Sequence, residues 1–148
     1  MTLSSENTMS NKTMLATLTL GAIVAFAGPA FADKMKATLD AKSEVPANTS
    51  AGKGTADLDY DNASKKLSWK ITYSGLSGPA TAAHFHGPAE AGANAGVAVA
   101  IPNAGTSPVE GSATLTDAQA ADLMAGKYYI NVHTAANPGG EIRGQVTK

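Results

Sequence analysis

The 148-residue sequence contains no cysteine, and this absence removes several classes of protein at once. Without thiols the chain is not a disulfide-stapled scaffold, an iron–sulfur protein or a zinc module built on cysteine. The sequence also has no basic excess, with 11 Lys and Arg against 12 Asp and Glu, so it lacks the charge that neutralises nucleic-acid phosphates. Aromatic residues make up only 5%, so small aliphatic side chains must supply most of a core. Low net charge and ordinary apolar content are typical of one folded domain.

The first 32 residues have the pattern of a secretory signal. An apolar stretch follows Lys12, and it ends in an Ala-Phe-Ala cleavage motif at Ala32. We expect cleavage after Ala32, which leaves residues 33–148 as the mature domain. The apolar stretch is short for a membrane span of about 20 residues, so we expect no membrane attachment after cleavage. These features predict a periplasmic or secreted protein.

The mature chain alternates apolar and polar residues between frequent glycines and prolines. A period of two places the apolar residues on one face of a β-strand. The candidate strands are 35–39, 54–60, 67–74, 81–86, 97–101, 110–115, 127–134 and 141–147. Seven or eight short strands with Gly/Pro turns predict an all-β Greek-key sandwich or barrel.

One segment departs from the β pattern. Thr116 and Gln119 have the spacing of a capping box, and the alanine-rich stretch after Thr116 favours a helix. Gly126 is a typical residue just beyond a helix C-terminus. We predict one short helix at 117–125, covering one end of the sheet.

The three histidines carry the clearest chemistry in the sequence. His84 and His86 form an H-x-H pair at the end of a candidate strand, and alternation directs both imidazoles to one face. His133 lies on the polar face of the candidate strand 127–134. If these two strands are neighbours, three neutral imidazoles converge into a metal site that favours copper, with zinc as the alternative. The competing interpretation is three unrelated surface histidines.

Other residues are candidates to complete this site. Asn131, Thr134, Glu141 and backbone carbonyls could orient the imidazoles, although for Glu141 we favour a solvated strand end or an ion pair with a lysine. A fourth ligand could be water, Met35, Met124 or a group from a second subunit, which leaves a homodimer open. For both methionines the simpler expectation is packing against the core.

No pattern indicates a different chemistry. The sequence has no G-x-S-x-G motif and no glycine-rich phosphate loop. Asp57, Asp59 and Asp61 form an acidic stripe, but a calcium loop of the EF type would need a central glycine and a distal glutamate. We interpret the stripe as the solvated face of a strand.

Three segments of the mature chain resemble the CHRD (chordin) domain family. They are 76–89, which contains the H-x-H pair followed by Gly-Pro, then 111–119 and 131–144. The Ser-Glu-Val-Pro sequence at 43–46 also resembles the opening motif of the family. The resemblance covers about residues 35–147. It implies a secreted single domain, and the presence of this domain in larger chordin proteins suggests a metal-free binding or structural module as an alternative function.

The same landmarks resemble a reduced Cu/Zn superoxide dismutase, whose fold is an eight-stranded Greek-key barrel. By this resemblance His84 and His86 match the H-x-H copper ligands, and His133 matches the last copper histidine. No histidine lies between 87 and 132, so the bridging imidazolate and the zinc subsite have no counterpart here. The structural disulfide of that family is also missing.

The resemblance to the dismutases also implies an arginine near the metal. The matching stretch contains both Glu141 and Arg143, and either could occupy that place. A glutamate there would reverse the guidance of anions toward the metal. Three functional hypotheses result: a copper-handling protein, which we favour, a copper-dependent redox enzyme of the dismutase type, and a metal-free extracellular module.

Overall fold

The computed structural model describes residues 32–148, and the predicted secretory signal lies outside these residues apart from Ala32. The described chain forms eight strands and one α-helix. They are β1 (Asp33–Asp40), β2 (Lys53–Asp61), β3 (Lys66–Ser74), β4 (Ala80–His86), β5 (Val97–Ile101), β6 (Val109–Thr114), α1 (Asp117–Met124), β7 (Tyr129–Thr134) and β8 (Ile142–Gln145). A single 3₁₀ turn, Ala41–Ser43, follows β1. Within residues 32–148 no helix is long and apolar enough to cross a membrane.

The eight strands form one antiparallel sheet in the order β5-β4-β7-β8-β1-β2-β3-β6, curved into a nearly closed barrel. The connections from β3 to β4 and from β6 to β7 bypass neighbouring strands, as in a Greek key. This confirms the predicted all-β barrel. For the site, the decisive consequence of the connectivity is that β4 and β7 lie side by side although more than 40 residues separate them.

The period-two alternation correctly separates core from surface. In β1, for example, Met35, Ala37 and Leu39 are buried, while the residues between them are exposed. In the middle of the barrel the Trp69 ring meets the Phe85 ring edge-on, with centroids 5.2 Å apart. Burial of such side chains stabilises the fold by about 1.5–3 kcal/mol each.

Two minor expectations from the sequence are also met. Met35 is fully buried, and Met124 packs against the core, so the packing role expected for both methionines is confirmed. The acidic stripe of β2 has Asp57 exposed and Asp59 and Asp61 partly exposed, as a solvated strand face should be.

The helix also forms as predicted. Thr116 Oγ1 accepts from the Gln119 backbone N–H at 3.2 Å, and Gln119 Oε1 accepts from the Thr116 N–H at 3.0 Å, which completes the capping box. Gln119 Nε2 donates to the carbonyl of Ala98 at 2.9 Å. Ala98 belongs to β5, an end strand of the sheet, so this helix side chain covers part of an otherwise unpaired edge.

The close approach of β8 to β1 requires glycine at position 144. A Cβ on Gly144 would collide with the carbonyl group of Thr38 and lie 3.2 Å from the backbone nitrogen of Leu39. Backbone atoms of a paired strand cannot rotate aside, so we expect Gly144→Ala to destabilise the protein by about 3 kcal/mol in urea denaturation. Gly78→Ala is the matched control, because nothing lies within 4 Å of its added Cβ. Equal denaturation midpoints for the two variants would refute this explanation.

Candidate metal centre

The pairing of β4 with β7 brings the three histidines to one patch on the outside of the barrel. His133 lies opposite Ala82, whose side chain projects on the same face of β4 as His84 and His86. Phe85, between the two histidines, points the other way and is fully buried in the core. The sequence analysis required the two histidine-bearing strands to be neighbours, and β4 and β7 are paired in the sheet.

The three imidazoles present one ligand atom each within a small volume. These nitrogens all lie within 4.8 Å of one another. His84 Nδ1 and His133 Nε2 are 3.1 Å apart. Metal–nitrogen bonds of about 2.0–2.1 Å place pairs of ligand nitrogens roughly 3–4 Å apart. The His84–His133 pair has this spacing, and the ligand nitrogen of His86 lies within 4.8 Å of both.

Backbone carbonyls orient two of the three rings. His86 Nδ1 donates to the carbonyl of Ala95, and His133 Nδ1 donates to the carbonyl of Pro138, both at 2.9 Å. Because a carbonyl only accepts, each Nδ1 carries the proton and each Nε2 presents a lone pair. His86 Nε2 is buried and has no hydrogen-bond partner among residues 32–148. A buried, unpartnered imidazole nitrogen with a fixed tautomer fits a metal ligand.

The surroundings of His84 and His86 favour the neutral form of both imidazoles. Burial lowers the pKa of His84, and the nearby His133 and His86 rings lower it further. Burial also lowers the pKa of His86, against the opposing effect of its hydrogen bond to Ala95. Since a metal binds only the neutral imidazole, both shifts favour the binding form at neutral pH.

A stacked column of side chains supports His86. The Tyr129 ring lies parallel to the His86 ring, with an interplanar angle of 3° and centroids 4.9 Å apart. The guanidinium carbon of Arg143 lies 3.4 Å from the Tyr129 centroid. Because β7 runs between β4 and β8, His86 and Arg143 approach Tyr129 from opposite sides. The Tyr129 hydroxyl donates to the carbonyl of Ala95 and accepts from its N–H, both at 3.2 Å, and Ala95 is the residue that orients His86.

Asn131 and Arg143, two other residues expected near the metal, both lie close to the histidines but in different positions. Asn131 is the cross-strand partner of His84 and is buried, with Nδ2 donating to the carbonyl of Gly139 at 3.5 Å. Its Oδ1 has no partner within residues 32–148. Arg143 reaches His86 only through Tyr129. The structure thus brings Asn131 and Arg143 close to His86, where the Asn131 side chain works to raise the His86 pKa and the charge of Arg143 works to lower it.

Glu141 is not the solvated strand end that we favoured from the sequence. It is completely buried, and its carboxylate accepts from Ser50 Oγ at 2.5 Å, Ser77 N at 2.7 Å, Ser77 Oγ at 2.6 Å and Thr134 Oγ1 at 2.5 Å. Burial alone would raise the pKa of Glu141, but these hydrogen bonds outweigh it and lower the pKa to about 2. Glu141 therefore ties together the loops that follow β1, β3 and β7. The loop after β7 also carries the Pro138 carbonyl that orients His133.

Two residues near the site were not recognised from the sequence as part of it. Tyr129 looks like one more residue of an alternating strand. Glu44, from the Ser-Glu-Val-Pro motif, is 6% exposed, and burial raises its pKa to about 7 although nearby Arg143 works to lower it. A Cβ on Gly140 would meet both the Glu44 carboxyl and Asn131 Nδ2, so Glu44 and Asn131 are close neighbours. The only sequence signal for Glu44 was its place in the motif.

The fold and the histidine patch define a small all-β barrel domain with a candidate metal centre on its outer face. The chain belongs to the CHRD domain family, whose model matches residues 35–146. The match runs from β1 to just beyond β8 and confirms the resemblance indicated by the sequence motifs. No curated protein and no solved structure matches the chain.

Proposed function

We propose that this CHRD-domain protein is exported and binds copper through His84, His86 and His133, in order to store or transfer the metal. The observation that supports this most directly is the set of three ring nitrogens within 4.8 Å of one another. Copper is favoured over zinc because it has the higher intrinsic affinity for imidazole ligands among divalent ions. His84 and His133 are only partly buried, so metal can enter from solvent.

The position of Arg143 favours copper handling over a dismutase-type enzyme. The resemblance to the dismutases made Arg143 a candidate for guiding anions to the metal. Here it is 2% exposed, and its guanidinium donates to Asn94 Oδ1 at 2.9 Å and to the carbonyl of Ala93, besides stacking on Tyr129. A guanidinium engaged in this way is turned away from solvent and is not available to contact an incoming anion directly.

Equilibrium metal titration of the mature protein tests the proposal. We expect tight binding of one copper per chain, with Zn²⁺ bound more weakly. A ratio of one copper per two chains would indicate a site shared by a homodimer. Absence of copper uptake would support the metal-free extracellular module instead.

Copper affinity should depend on pH in a defined direction. Metal binding requires neutral imidazole, and unperturbed histidine titrates at about 6.5, so affinity should be constant well above that pH and fall below it. The lowered pKa of His84 and His86 moves the onset of the fall to somewhat lower pH. Competition titrations with a chelator at pH 5 and pH 7.5 measure the effect. Equal affinity at the two pH values would contradict histidine ligation.

A further inference from the structure

The buried guanidinium of Arg143 places a positive charge close to the proposed copper site. Arg143 is 2% exposed, and its guanidinium carbon is 3.4 Å from the centroid of Tyr129. The opposite face of Tyr129 stacks on His86, at a centroid distance of 4.9 Å. The hydrogen-bond partners of the guanidinium, Asn94 and the carbonyl of Ala93, are neutral. The column therefore connects a full positive charge to one of the three imidazoles.

This charge is only partly compensated. None of the ion pairs within residues 32–148 includes Arg143. The carboxyl group that interacts with it electrostatically is Glu44, whose pKa is raised to about 7 by burial. Near neutral pH Glu44 is thus partly protonated and offsets only part of the charge on Arg143.

The three candidate ligands carry no negative charge that would compensate the charge of a bound metal ion. The group that could hold an ion consists of His84, His86 and His133 and contains no carboxylate. Neutral imidazoles leave the full charge on whatever cation they bind. A dication therefore experiences about twice the repulsion from Arg143 that a monocation does, because Coulomb energy is proportional to charge.

We infer that Arg143, stacked through Tyr129 on His86, shifts the preference of the three-histidine site toward monovalent copper, Cu(I), and away from the dications Cu(II) and Zn(II). This inference rests on the proposed function and specifies which copper ion is handled. At a separation of about 10 Å and an effective dielectric constant of about 20, the repulsion lowers affinity roughly tenfold per unit of metal charge. The effect on the ratio of dication to monocation affinity is accordingly about tenfold.

Arg143→Met is the direct test, because it removes the charge while keeping a long side chain over Tyr129. Affinities for Cu(I) and Zn(II) are measured at pH 7, where Glu44 offsets only part of the charge on Arg143, under anaerobic conditions and each by competition with a chelator of known affinity. We expect the ratio of Zn(II) to Cu(I) affinity to rise about tenfold. The midpoint potential of the copper-loaded protein should fall by about 60 mV, which is the same tenfold change for a one-electron couple.

Three variants separate charge from structure. Arg143→Lys keeps the charge and should leave the affinity ratio within about threefold of wild type. Asn94→Ala, in the loop between β4 and β5, removes the side-chain hydrogen bonds to Arg143 and to the carbonyl of Val45 but not the charge on Arg143. It should also leave the ratio unchanged. Lys66→Met makes the same change in net charge on β3, four strands from β7 in the sheet, and should have no effect.

An Arg143→Met protein that folds and has the wild-type affinity ratio overturns the inference and leaves the copper site intact. Should Arg143→Met not fold by circular dichroism, Glu44→Gln at pH 8 provides the test in the opposite direction. It removes the negative charge near Arg143, so the ratio must move toward Cu(I), and an unchanged ratio overturns the inference. A wild-type protein that binds neither ion overturns the proposed function itself.

Discussion

Replacing His133 by alanine is expected to lower copper affinity by at least about 100-fold with little change in stability. The loss of a residue that merely orients a metal ligand costs 10–100-fold, and His133 would be a ligand itself. It is the one imidazole supplied by β7, and its Nε2 lies 3.1 Å from Nδ1 of His84. The side chain is partly exposed on the outer face, so its removal leaves the core untouched.

The measurement is a competition titration with copper at pH 7.5, combined with urea denaturation of the same variants. Asn137→Ala is a matched control in the loop after β7, because no hydrogen bond to its side chain is present within residues 32–148. We expect this control to bind copper like wild type. If His133→Ala also binds like wild type, the three histidines do not form the site, and the metal-free module becomes the better hypothesis.

The second large effect is expected at Glu141. Replacing it by alanine leaves four hydrogen-bond donors, from Ser50, Ser77 and Thr134, without their acceptor in a buried location. Removing one partner of a buried charged network typically destabilises a protein by about 3–5 kcal/mol. We expect Glu141→Ala to lower the free energy of unfolding by this amount in urea denaturation. A loss below about 1 kcal/mol would show that the loops hold together without Glu141.

The same residue gives stability a defined dependence on pH. The pKa of Glu141 is about 2 in the folded protein, and its ordinary value is 4.5. The unfolded chain therefore binds the extra proton between these values, so the contribution of Glu141 is complete above pH 4.5 and is lost as pH falls toward 2. The full contribution is about 3 kcal/mol. Glu141→Gln should flatten this dependence, whereas the exposed Glu90→Gln should leave it unchanged.

Much of the fold was predictable because its signals are local. Alternation within each strand determines which residues face the core, and a capping box determines where α1 begins. The H-x-H spacing likewise places His84 and His86 on the same face of β4. These features depend on residues a few positions apart, whose relative placement follows from the geometry of one strand or one helix.

Glu141 shows where such reasoning fails. A glutamate after two glycines at the start of a strand is typical of a solvated position, because carboxylates are seldom fully buried. Its burial depends on Ser50 and Ser77, which lie 91 and 64 residues away in the sequence. No local pattern indicates that these hydroxyl groups will meet the same carboxylate.

The amino-acid sequence by itself determined the eight short strands, the helix, the membership in the CHRD family and the identity of the three histidines. Only the tertiary structure decided that His133 lies beside the H-x-H pair, that Arg143 stacks through Tyr129 on His86, and that Glu44 is buried nearby. The physical reason is that these contacts depend on the order of strands in the barrel. That order is set by burial and long-range pairing over the whole chain, whereas the periodicity of a strand specifies only its own two faces.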